Sequence, residues 1–591
     1  MSLDFSEEKR ARVVGRLFLL FFLIILGRFF QIQVLSGSSY KVKSEKNRVR
    51  QIAVTASRGV IFDQKGRIIV ENRPSYSLFI IPHEYQKDRL NAMVTASVIG
   101  MTQDDIEKKI SDSGRGPFTP VRLKRDMDFQ LLSAIEEDRF DLPGIYYQVE
   151  PVRTYPSAAH VSHTIGYLGE IDESDMVSMR AEGFIRGDII GKSGIERRYD
   201  SILRGQRGYR YVEVDAKGRE VGNFEGVRDV APIPGKDLTL TLDLDLQQYI
   251  GNIWGEKRGA VVVLNPQNGE ILATLSKPDF SLESFAKILS PESWEMLRDD
   301  PQKPLLDRTI QAQIPPGSTY KLVLTLAALS KGIVELSDTV TCNGYYKLGR
   351  RIFHCWKDSG HGKVDLLSAL MGSCNVYYYQ LGLEAGFDNW ARFSKLLRFG
   401  EYTRIDLFGE ARGLLPDREY MNQKYGKKGW GRGMIANMAV GQGDILVTPI
   451  QMVQMVSAIG MNGILYYPHV VHSVREPYSD NWIEKSLKFE VLEGISQEAF
   501  HWIQDGMSRV VNMEGGTGRG AWVPGMEVCG KTGTAQNPHG DDHAWFVGFA
   551  PRRNPQVAIV VFVENGGGGG VVAAPLAGRI LKRYFNRNSI S

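Results

Sequence analysis

The sequence predicts an α+β protein in which helices cover an antiparallel sheet, carried on an elongated N-terminal pedestal with one transmembrane helix. Three observations indicate this fold: one apolar stretch near the N-terminus, strand-like patterns at both ends of the region 238–586, and helical patterns between those ends. Strands grouped around a helical middle are typical of an antiparallel sheet with helices on its faces. The 591 residues also exceed what one hydrophobic core holds, so several units are expected.

Composition excludes several functional classes. Hydrophobic residues make up 43% of the chain and charged residues 24%, which is ordinary for globular protein. The net charge is only +4 and no long basic run is present, so no nucleic-acid partner is expected. Four cysteines exclude a disulfide scaffold. No pattern indicates an organic cofactor.

The apolar stretch at residues 13–35 predicts a membrane anchor that follows a cytoplasmic tail, residues 1–12. Its uncharged core runs only from Leu17 to Gly27, about 11 residues, which is too short to cross a bilayer alone. Arg16 and Arg28 can extend their charged ends to opposite interfaces and so lengthen the span. A cleaved signal peptide is the alternative, because small residues follow at 36–38. Short N-terminal tails usually stay inside. We therefore expect a single-pass protein of the cytoplasmic (inner) membrane, with its catalytic domain on the periplasmic or extracellular side.

The region 36–231 is predicted to form the pedestal. A charged, helical pattern at about 86–141 interrupts its strands and indicates an inserted head subdomain. Strand patterns lie at residues 50–54, 59–70 (with a turn at 63–66), 76–81, 144–153 and 209–214. The proline-rich stretch 232–237 is typical of a linker between domains.

The region 238–586 carries the predicted sheet. Its strands are expected at 238–242, 259–264 and 270–275, and again at 544–549 and 556–564. Helices are predicted at 318–329 and 449–459. The glycine run 566–570 is most simply a flexible loop.

Ser318 and Lys321 form the first chemical motif, within Pro315-Pro316-Gly317-Ser318-Thr319-Tyr320-Lys321. The prolines and glycine end any preceding helix, so Ser318 lies near the N-terminus of the following one. A spacing of three residues puts Lys321 on the same face. A buried, neutral lysine can act as base for the hydroxyl, while backbone N–H groups at the helix start can stabilise an oxyanion. A helix cap is the ordinary role of such a serine.

Two further motifs outweigh that ordinary role: Ser373-Cys374-Asn375 and Lys531-Thr532-Gly533-Thr534. Ser373 can relay a proton to a leaving nitrogen, and Asn375 can hold a substrate amide. Lys531 is expected to supply a fixed positive charge, which attracts a carboxylate and keeps Lys321 neutral. The Thr532 and Thr534 hydroxyls are candidates for binding that carboxylate, and Gly533 allows a substrate close to the strand. The N–H groups of Ser318 and Thr534 are the expected oxyanion donors.

With these three motifs the chain resembles the class B penicillin-binding proteins of the elongation type. The resemblance covers nearly the whole length. It also rests on Arg58-Gly59, Arg153-Thr154-Tyr155-Pro156, Gly194-Ile195-Glu196, Gly441-Gln442-Gly443 and Trp545-Phe546-Val547-Gly548. It departs from the stricter Ser-Asp-Asn form at Cys374.

The resemblance implies a fold like that of penicillin-binding transpeptidases and serine β-lactamases, on a non-catalytic, dimerisation-type pedestal. It implies a serine-type D-Ala-D-Ala transpeptidase or carboxypeptidase that cross-links peptidoglycan stem peptides through a Ser318 acyl-enzyme and binds β-lactams. A SEDS-type glycosyltransferase is the implied partner. A division-type transpeptidase and a non-enzymatic β-lactam sensor are the alternatives.

Cys342, Cys355, His361 and Cys374 form a separate cluster in the sequence. Three thiols and an imidazole suit a closed, tetrahedral structural zinc site. A Cys342–Cys355 disulfide is the alternative, since the domain is expected in an oxidising compartment. The resemblance favours the metal, because elongation-type relatives look to carry a metal cluster in this region, whereas division-type relatives lack it. If Ser373 and Asn375 face the cleft, Cys374 is expected to point away from it.

Overall fold

The computed structural model describes residues 7–37, 49–85, 89–114, 116–139, 141–142, 144–157, 159–179, 184, 186–214, 220–223, 228–286, 289 and 291–588. The first helix, Glu7–Phe30, continues as the π-helix Gln31–Leu35. The segment Arg12–Leu35 is long and apolar enough to cross a membrane, with a mean hydropathy of 2.3. The helix begins inside the predicted tail, and residues 1–6 of that tail lie outside the described residues.

The pedestal consists of sheets and short helices. Its strands are Val49–Val54, Ile61–Phe62, Ile68–Ile80, Val121–Lys124, Ile145–Thr154, Leu168–Glu170, Ile189–Gly191, Gly208–Val214 and Glu220–Asn223. Its helices are Pro82–Tyr85, Arg89–Ile99, Gln103–Ser113, Phe129–Glu137, Ser162–Ile165, Glu173–Ser178, Gly194–Arg198 and Asp200–Leu203. The two strands predicted at 59–70 and 76–81 overlap one long strand, Ile68–Ile80. Pro74 does not break that strand, because it faces Pro151 and neither residue has an N–H to donate.

The inserted head has a hydrophobic core of its own. Its helices pack their apolar faces on the end of the long strand, through buried residues such as Leu78, Ile106 and Ile135. The short strand Val121–Lys124 pairs with that same strand.

The C-terminal region 238–586 carries the three candidate motifs and is called the catalytic region. It joins the pedestal through a shared sheet. Leu238 and Thr239 pair in parallel with Ile61 and Phe62 of the pedestal, and strand Asp237–Leu240 also pairs with Val471–Arg475. The predicted linker packs closely against the pedestal, because a Cβ on Gly235 would lie 1.7 Å from the Leu203 carbonyl oxygen. One continuous apolar core therefore runs from the pedestal base into the catalytic region.

The central sheet of the catalytic region has five antiparallel strands, which confirms the predicted fold class. Their spatial order is Ile271–Lys277, Gly259–Leu264, Val557–Val563, His543–Ala550 and Cys529–Ala535. Strand Cys529–Ala535 therefore forms one edge. The predicted strand 238–242 does not belong to this sheet, because it pairs with the pedestal instead.

Helices cover this sheet, and small hairpins surround them. The α-helices are Leu244–Trp254, Leu282–Ala286, Pro291–Arg298, Arg308–Gln311, Lys321–Ser330, Leu366–Met371, Asn375–Leu396, Arg418–Tyr425, Arg432–Ala439, Pro449–Gly460, Gln497–Asn512 and Ala573–Asn588. The 3₁₀-helices are Gly317–Tyr320 and Arg519–Ala521. The remaining strands are Val340–Cys342, Tyr345–Leu348, Arg351–His354, Gly362–Val364, Ile464–Tyr466, Trp482–Glu484 and Phe489–Val491. Helices Lys321–Ser330 and Pro449–Gly460 are almost entirely buried, which matches their predominantly apolar sequences.

Candidate active site

Ser318 lies on the 3₁₀ turn Gly317–Tyr320, immediately before the buried helix Lys321–Ser330. Gly317 has φ +54°, and a Cβ there would lie 2.6 Å from the Thr534 carbonyl oxygen. Glycine therefore lets the turn contact the edge strand at backbone distance. On the other side, the Gly317 N–H donates to the Gly441 carbonyl at 2.9 Å. These contacts place the turn that carries Ser318 directly against the edge strand that carries Thr534.

The side chains of Lys321, Ser373 and Lys531 meet in a buried cluster beside this turn. Lys321 Nζ donates to the Ser373 carbonyl at 2.8 Å, to Ser373 Oγ at 3.2 Å, and to Asn375 Oδ1 at 2.7 Å. Lys531 Nζ lies 2.9 Å from Ser373 Oγ and donates to the Thr532 carbonyl at 2.9 Å. The Ser373 hydroxyl is thus placed between two amines, which is the position of a proton relay. Ser318 is half-buried.

Burial controls the charge of both lysines. It lowers the pKa of Lys321 to about 7, while the Cys374 and Cys355 sulfurs act in the opposite direction. Burial also lowers the pKa of Lys531 well below its ordinary value, and the charge of Lys321 adds to that effect. Lys531 is thus buried beside a second amine, and a bound carboxylate would favour its charged form.

The edge strand Cys529–Ala535 presents the third motif to the cleft. A Cβ on Gly533 would lie 2.9 Å from the Pro316 carbonyl, so glycine is needed beside the serine turn. The Thr532 hydroxyl lies 3.0 Å from Thr517 Oγ1, whereas exposed Thr534 accepts through its hydroxyl from the Gly569 N–H at 3.3 Å. The glycine run 566–570, predicted as a flexible loop, therefore packs on this strand through Gly569. Sequence reasoning missed Thr517, and no local pattern distinguishes it.

Cys342, Cys355, His361 and Cys374 come together behind the loop that carries Ser373. Their ligand atoms all lie within 4.8 Å of one another, and the three cysteines are buried. Cys374 is fully buried between Ser373 and Asn375, as expected of a residue that points away from the cleft. All four cysteines of the chain are free thiols, so the structure does not contain the alternative disulfide.

The geometry of this cluster suits a tetrahedral metal. His361 Nδ1 lies 3.6 Å from Cys342 Sγ and 3.5 Å from Cys355 Sγ. Zinc bonds of about 2.3 Å to sulfur and about 2.1 Å to nitrogen place these ligand atoms about 3.6 Å apart. The other ring nitrogen, Nε2, is 3.1 Å from the Gly372 carbonyl, to which it donates when Nδ1 faces the thiols.

Trp356 is a second residue that the sequence did not indicate. Its indole N–H is shared between the carbonyl oxygens of Gly372 and Ser373, both at 3.1 Å, and its ring meets His361 edge-on. The Ser373 carbonyl therefore accepts from Trp356 on one side and from Lys321 on the other. The nearest signal in the sequence is that Trp356 directly follows a cluster cysteine.

Two family models match the chain: a penicillin binding protein transpeptidase domain over residues 259–582, and a penicillin-binding protein dimerisation domain over residues 53–240. Together with the fold and the site, they define the class. The chain belongs to the penicillin-binding proteins. Within this family it is a class B protein similar to penicillin-binding protein 2, as the individual relatives indicate.

Among curated proteins, the chain is 30% identical to the peptidoglycan D,D-transpeptidase MrdA of Haemophilus influenzae, over 95% of this chain and 89% of the relative. It is also 30% identical to MrdA of Escherichia coli strain K12, over 98% and 94%. Among solved structures, Helicobacter pylori PBP2 in its complex with MreC superposes with a TM-score of 0.77 at 25% identity, covering 91% of this chain and all of that chain.

Proposed function

We propose that this protein is an elongation-type peptidoglycan D,D-transpeptidase that works through a Ser318 acyl-enzyme. The relatives' printed names support the activity. The observation that carries the mechanism is the convergence of Lys321 and Lys531 on the Ser373 hydroxyl, beside the turn that holds Ser318. The fold itself does not require two lysines to be buried at one hydroxyl, and burying them costs free energy.

In acylation, Ser318 Oγ attacks the carbonyl carbon between the two D-Ala residues of a stem peptide, while neutral Lys321 takes the hydroxyl proton. The negative oxygen of the tetrahedral intermediate is bound by the Ser318 and Thr534 N–H groups. The C–N bond then breaks, and the proton passes from Lys321 through Ser373 Oγ to the leaving D-Ala nitrogen. Terminal D-Ala departs and the acyl-enzyme remains.

In deacylation, an amine from a neighbouring stem attacks the acyl-enzyme carbonyl and gives its proton back along the same path. Ser318 is released and a cross-link forms. Water in place of the amine gives the carboxypeptidase reaction. Lys531 binds the terminal carboxylate of the donor, with the Thr532 and Thr534 hydroxyls next to it, and Asn375 holds the amide of the peptide. A β-lactam presents a strained ring amide in place of the D-Ala-D-Ala bond; attack by Ser318 opens its C–N bond, and the acyl group stays attached to the serine.

Fluorescent penicillin and a cross-linking assay test this proposal. Wild-type protein is expected to be labelled covalently, and Ser318→Ala to lose all labelling. Ser281→Ala is the matched control, an exposed serine of the same domain that donates to Glu283 at 3.0 Å. Labelling of Ser318→Ala at the wild-type rate would refute the nucleophile. Cross-linking of lipid-derived glycan strands separates the transpeptidase from a β-lactam sensor, which would be labelled without forming cross-links.

We also propose that Cys342, Cys355, His361 and Cys374 hold a structural zinc ion. The donor set and the spacing of 3.5–3.6 Å between sulfur and nitrogen support it. Bound there, zinc would hold the loop that carries Ser373. Metal analysis of the purified protein is expected to give one zinc per chain, lost in Cys374→Ser and retained in Cys529→Ser. Cys529 is a buried strand cysteine outside the cluster. A metal-free wild type with a Cys342–Cys355 disulfide would overturn the assignment.

We further propose a single-pass anchor in the cytoplasmic membrane, with the catalytic region outside and a SEDS-type glycosyltransferase as partner. The apolar helix supports the anchor. A solved relative described as coordinating polymerization and crosslinking in a peptidoglycan synthase complex supports the partnership. Protease digestion of intact spheroplasts is expected to remove the catalytic region. Co-purification with a SEDS-type polymerase, followed by cross-linking with and without it, tests the complex.

A further inference from the structure

A large cavity lies in the pedestal, far along the chain from the catalytic motifs. Its volume is about 1070 Å³, and it opens between the head and the base of the pedestal. The head contributes Arg122 and Arg125, strand Ile145–Thr154 contributes Glu150, and the pedestal base next to helix Asp200–Leu203 contributes Arg204 and Arg207. A cavity of this size holds a ligand as large as a typical small molecule.

Most arginines in the cavity wall have a carboxylate partner. Arg122 binds both oxygens of Glu150, at 2.9 and 3.1 Å, and also donates to the Gly187 carbonyl. Arg207 pairs with Asp188 at 2.6 Å. Glu150 receives a further hydrogen bond from Thr55 at 3.3 Å. The carboxylates nearest strand Val121–Lys124 therefore already have arginine partners.

Arg125 is different. Among the described residues it makes no ion pair, and its one hydrogen bond is a long contact of 3.3 Å from Nη2 to the Pro151 carbonyl. Its Nε atom is buried without a partner. Burial lowers the pKa of Arg125 to about 10, and the charge of Arg122 acts in the same direction. A buried guanidinium without a partner raises the free energy of the folded protein unless an anion pairs with it.

We propose that the cavity binds an oxyanion, a carboxylate or a phosphate carried on a soluble ligand, with Arg125 as its charge partner. A guanidinium presents parallel N–H donors that match both anions in a bidentate arrangement. Because Arg122 and Arg125 belong to the head while Arg204 and Arg207 belong to the base, a ligand that fills the cavity contacts both. Binding then favours the arrangement of head and base seen here over more open ones.

Glu170 is the internal competitor for this role. It lines the same cavity and its charge raises the pKa of Arg125, yet among the described residues the two form no ion pair. If Glu170 rotated to pair with Arg125 in solution, no external anion would be needed. The experiment therefore includes a variant that removes this carboxylate.

Thermal unfolding of the full-length protein in detergent tests the site, with inorganic phosphate, acetate and chloride titrated at constant ionic strength. Phosphate or acetate is expected to raise the unfolding temperature of wild type saturably relative to chloride, and the more effective of the two identifies the ligand group. Arg125→Gln is expected to bind at least about tenfold more weakly, since the charge-assisted pair is lost. Arg186→Gln is the control, because Arg186 lines the same cavity but already pairs with Glu173.

Two further variants make every outcome decisive. Arg125→Lys keeps the charge without the bidentate donors and is expected to bind with intermediate strength, which guards against misfolding of Arg125→Gln. Glu170→Gln is expected to bind as wild type or more tightly. The proposal is overturned if neither anion exceeds chloride in wild type, if Arg125→Gln responds equally, or if only Glu170→Gln responds. Labelling by fluorescent penicillin is expected to be unchanged in Arg125→Gln, so this test stands apart from the catalytic proposal.

Discussion

The rate at which β-lactams acylate Ser318 should follow the deprotonation of Lys321. Lys321 is fully buried, and burial lowers its pKa from 10.5 to about 7. A base acts only in its neutral form, which is the form above the pKa. Acylation is therefore expected to rise with pH, to be half-maximal near pH 7 and to level off above about pH 8. Below pH 6 the rate should fall about tenfold per pH unit.

The size of the effect follows from the shift. At pH 7 a lysine of ordinary pKa is neutral in only about 0.03% of molecules, whereas a pKa of about 7 leaves about half of them neutral. Burial thus increases the concentration of active base about a thousandfold. Lys321→Arg keeps the positive charge but cannot lose it, so acylation is expected to fall about a thousandfold at pH 7 and above and to lose its dependence on pH.

Stopped-flow measurement of the second-order acylation rate with a fluorescent penicillin, from pH 5.5 to 9.5, is the assay. The unfolding temperature, followed over the same range, is the control for loss of structure. A rate that is flat between pH 6 and 8, or that is half-maximal above pH 9, would refute the assignment of Lys321 as a buried, neutral base. Retained acylation in Lys321→Arg would do so as well.

Three more substitutions test the supports of the site and of the pedestal. Trp356→Phe keeps the ring but removes the N–H shared by two carbonyls, so acylation is expected to fall about three- to tenfold with little change in unfolding temperature; an unchanged rate would contradict this. Gly569→Ala places a Cβ 2.3 Å from the Gly533 carbonyl, and the displaced loop is expected to slow acylation by about ten- to a hundredfold; wild-type kinetics would show that the loop is not coupled to the strand. Glu196→Ala leaves Arg58 and Arg153 buried without their shared carboxylate, which should cost about 3–5 kcal/mol in urea unfolding; a cost below about 1 kcal/mol would rule out that role.

Short-range patterns predicted the parts of the structure that depend on neighbouring residues. The strand expected at 259–264 is observed as Gly259–Leu264, since a run of buried β-branched residues specifies it locally. Ser318 and Lys321 are three residues apart, so any helical turn brings them to one face. The head was recognised from its charged helices, but its strand Val121–Lys124 was missed, because four residues inside a helical region carry too little pattern.

Long-range pairings could not be predicted in this way. Leu238 pairs with Ile61 across 177 residues, and nothing in either segment specifies the other. The strand expected at 238–242 therefore belongs to a sheet shared by the pedestal and the catalytic region. Thr517 and Trp356 reach the site only because the tertiary fold brings their loops there. The lowered pKa of Lys531 has the same origin, because burial and the charge of Lys321 cause it and both depend on packing.

The placement of Cys374 explains how the catalytic loop is held. Ser373 has φ +53°, a conformation that costs a residue other than glycine about 1–2 kcal/mol. No strand or helix holds Ser373 there, because helix Asn375–Leu396 begins two residues later. Its neighbours do so instead: Cys374 is buried in the cysteine and histidine cluster, and His361 and Trp356 donate to the Gly372 carbonyl. The cluster thus supplies the restraint that keeps the Ser373 hydroxyl between the two lysines. A substitution in the cluster should therefore lower the acylation rate even where the unfolding temperature changes little.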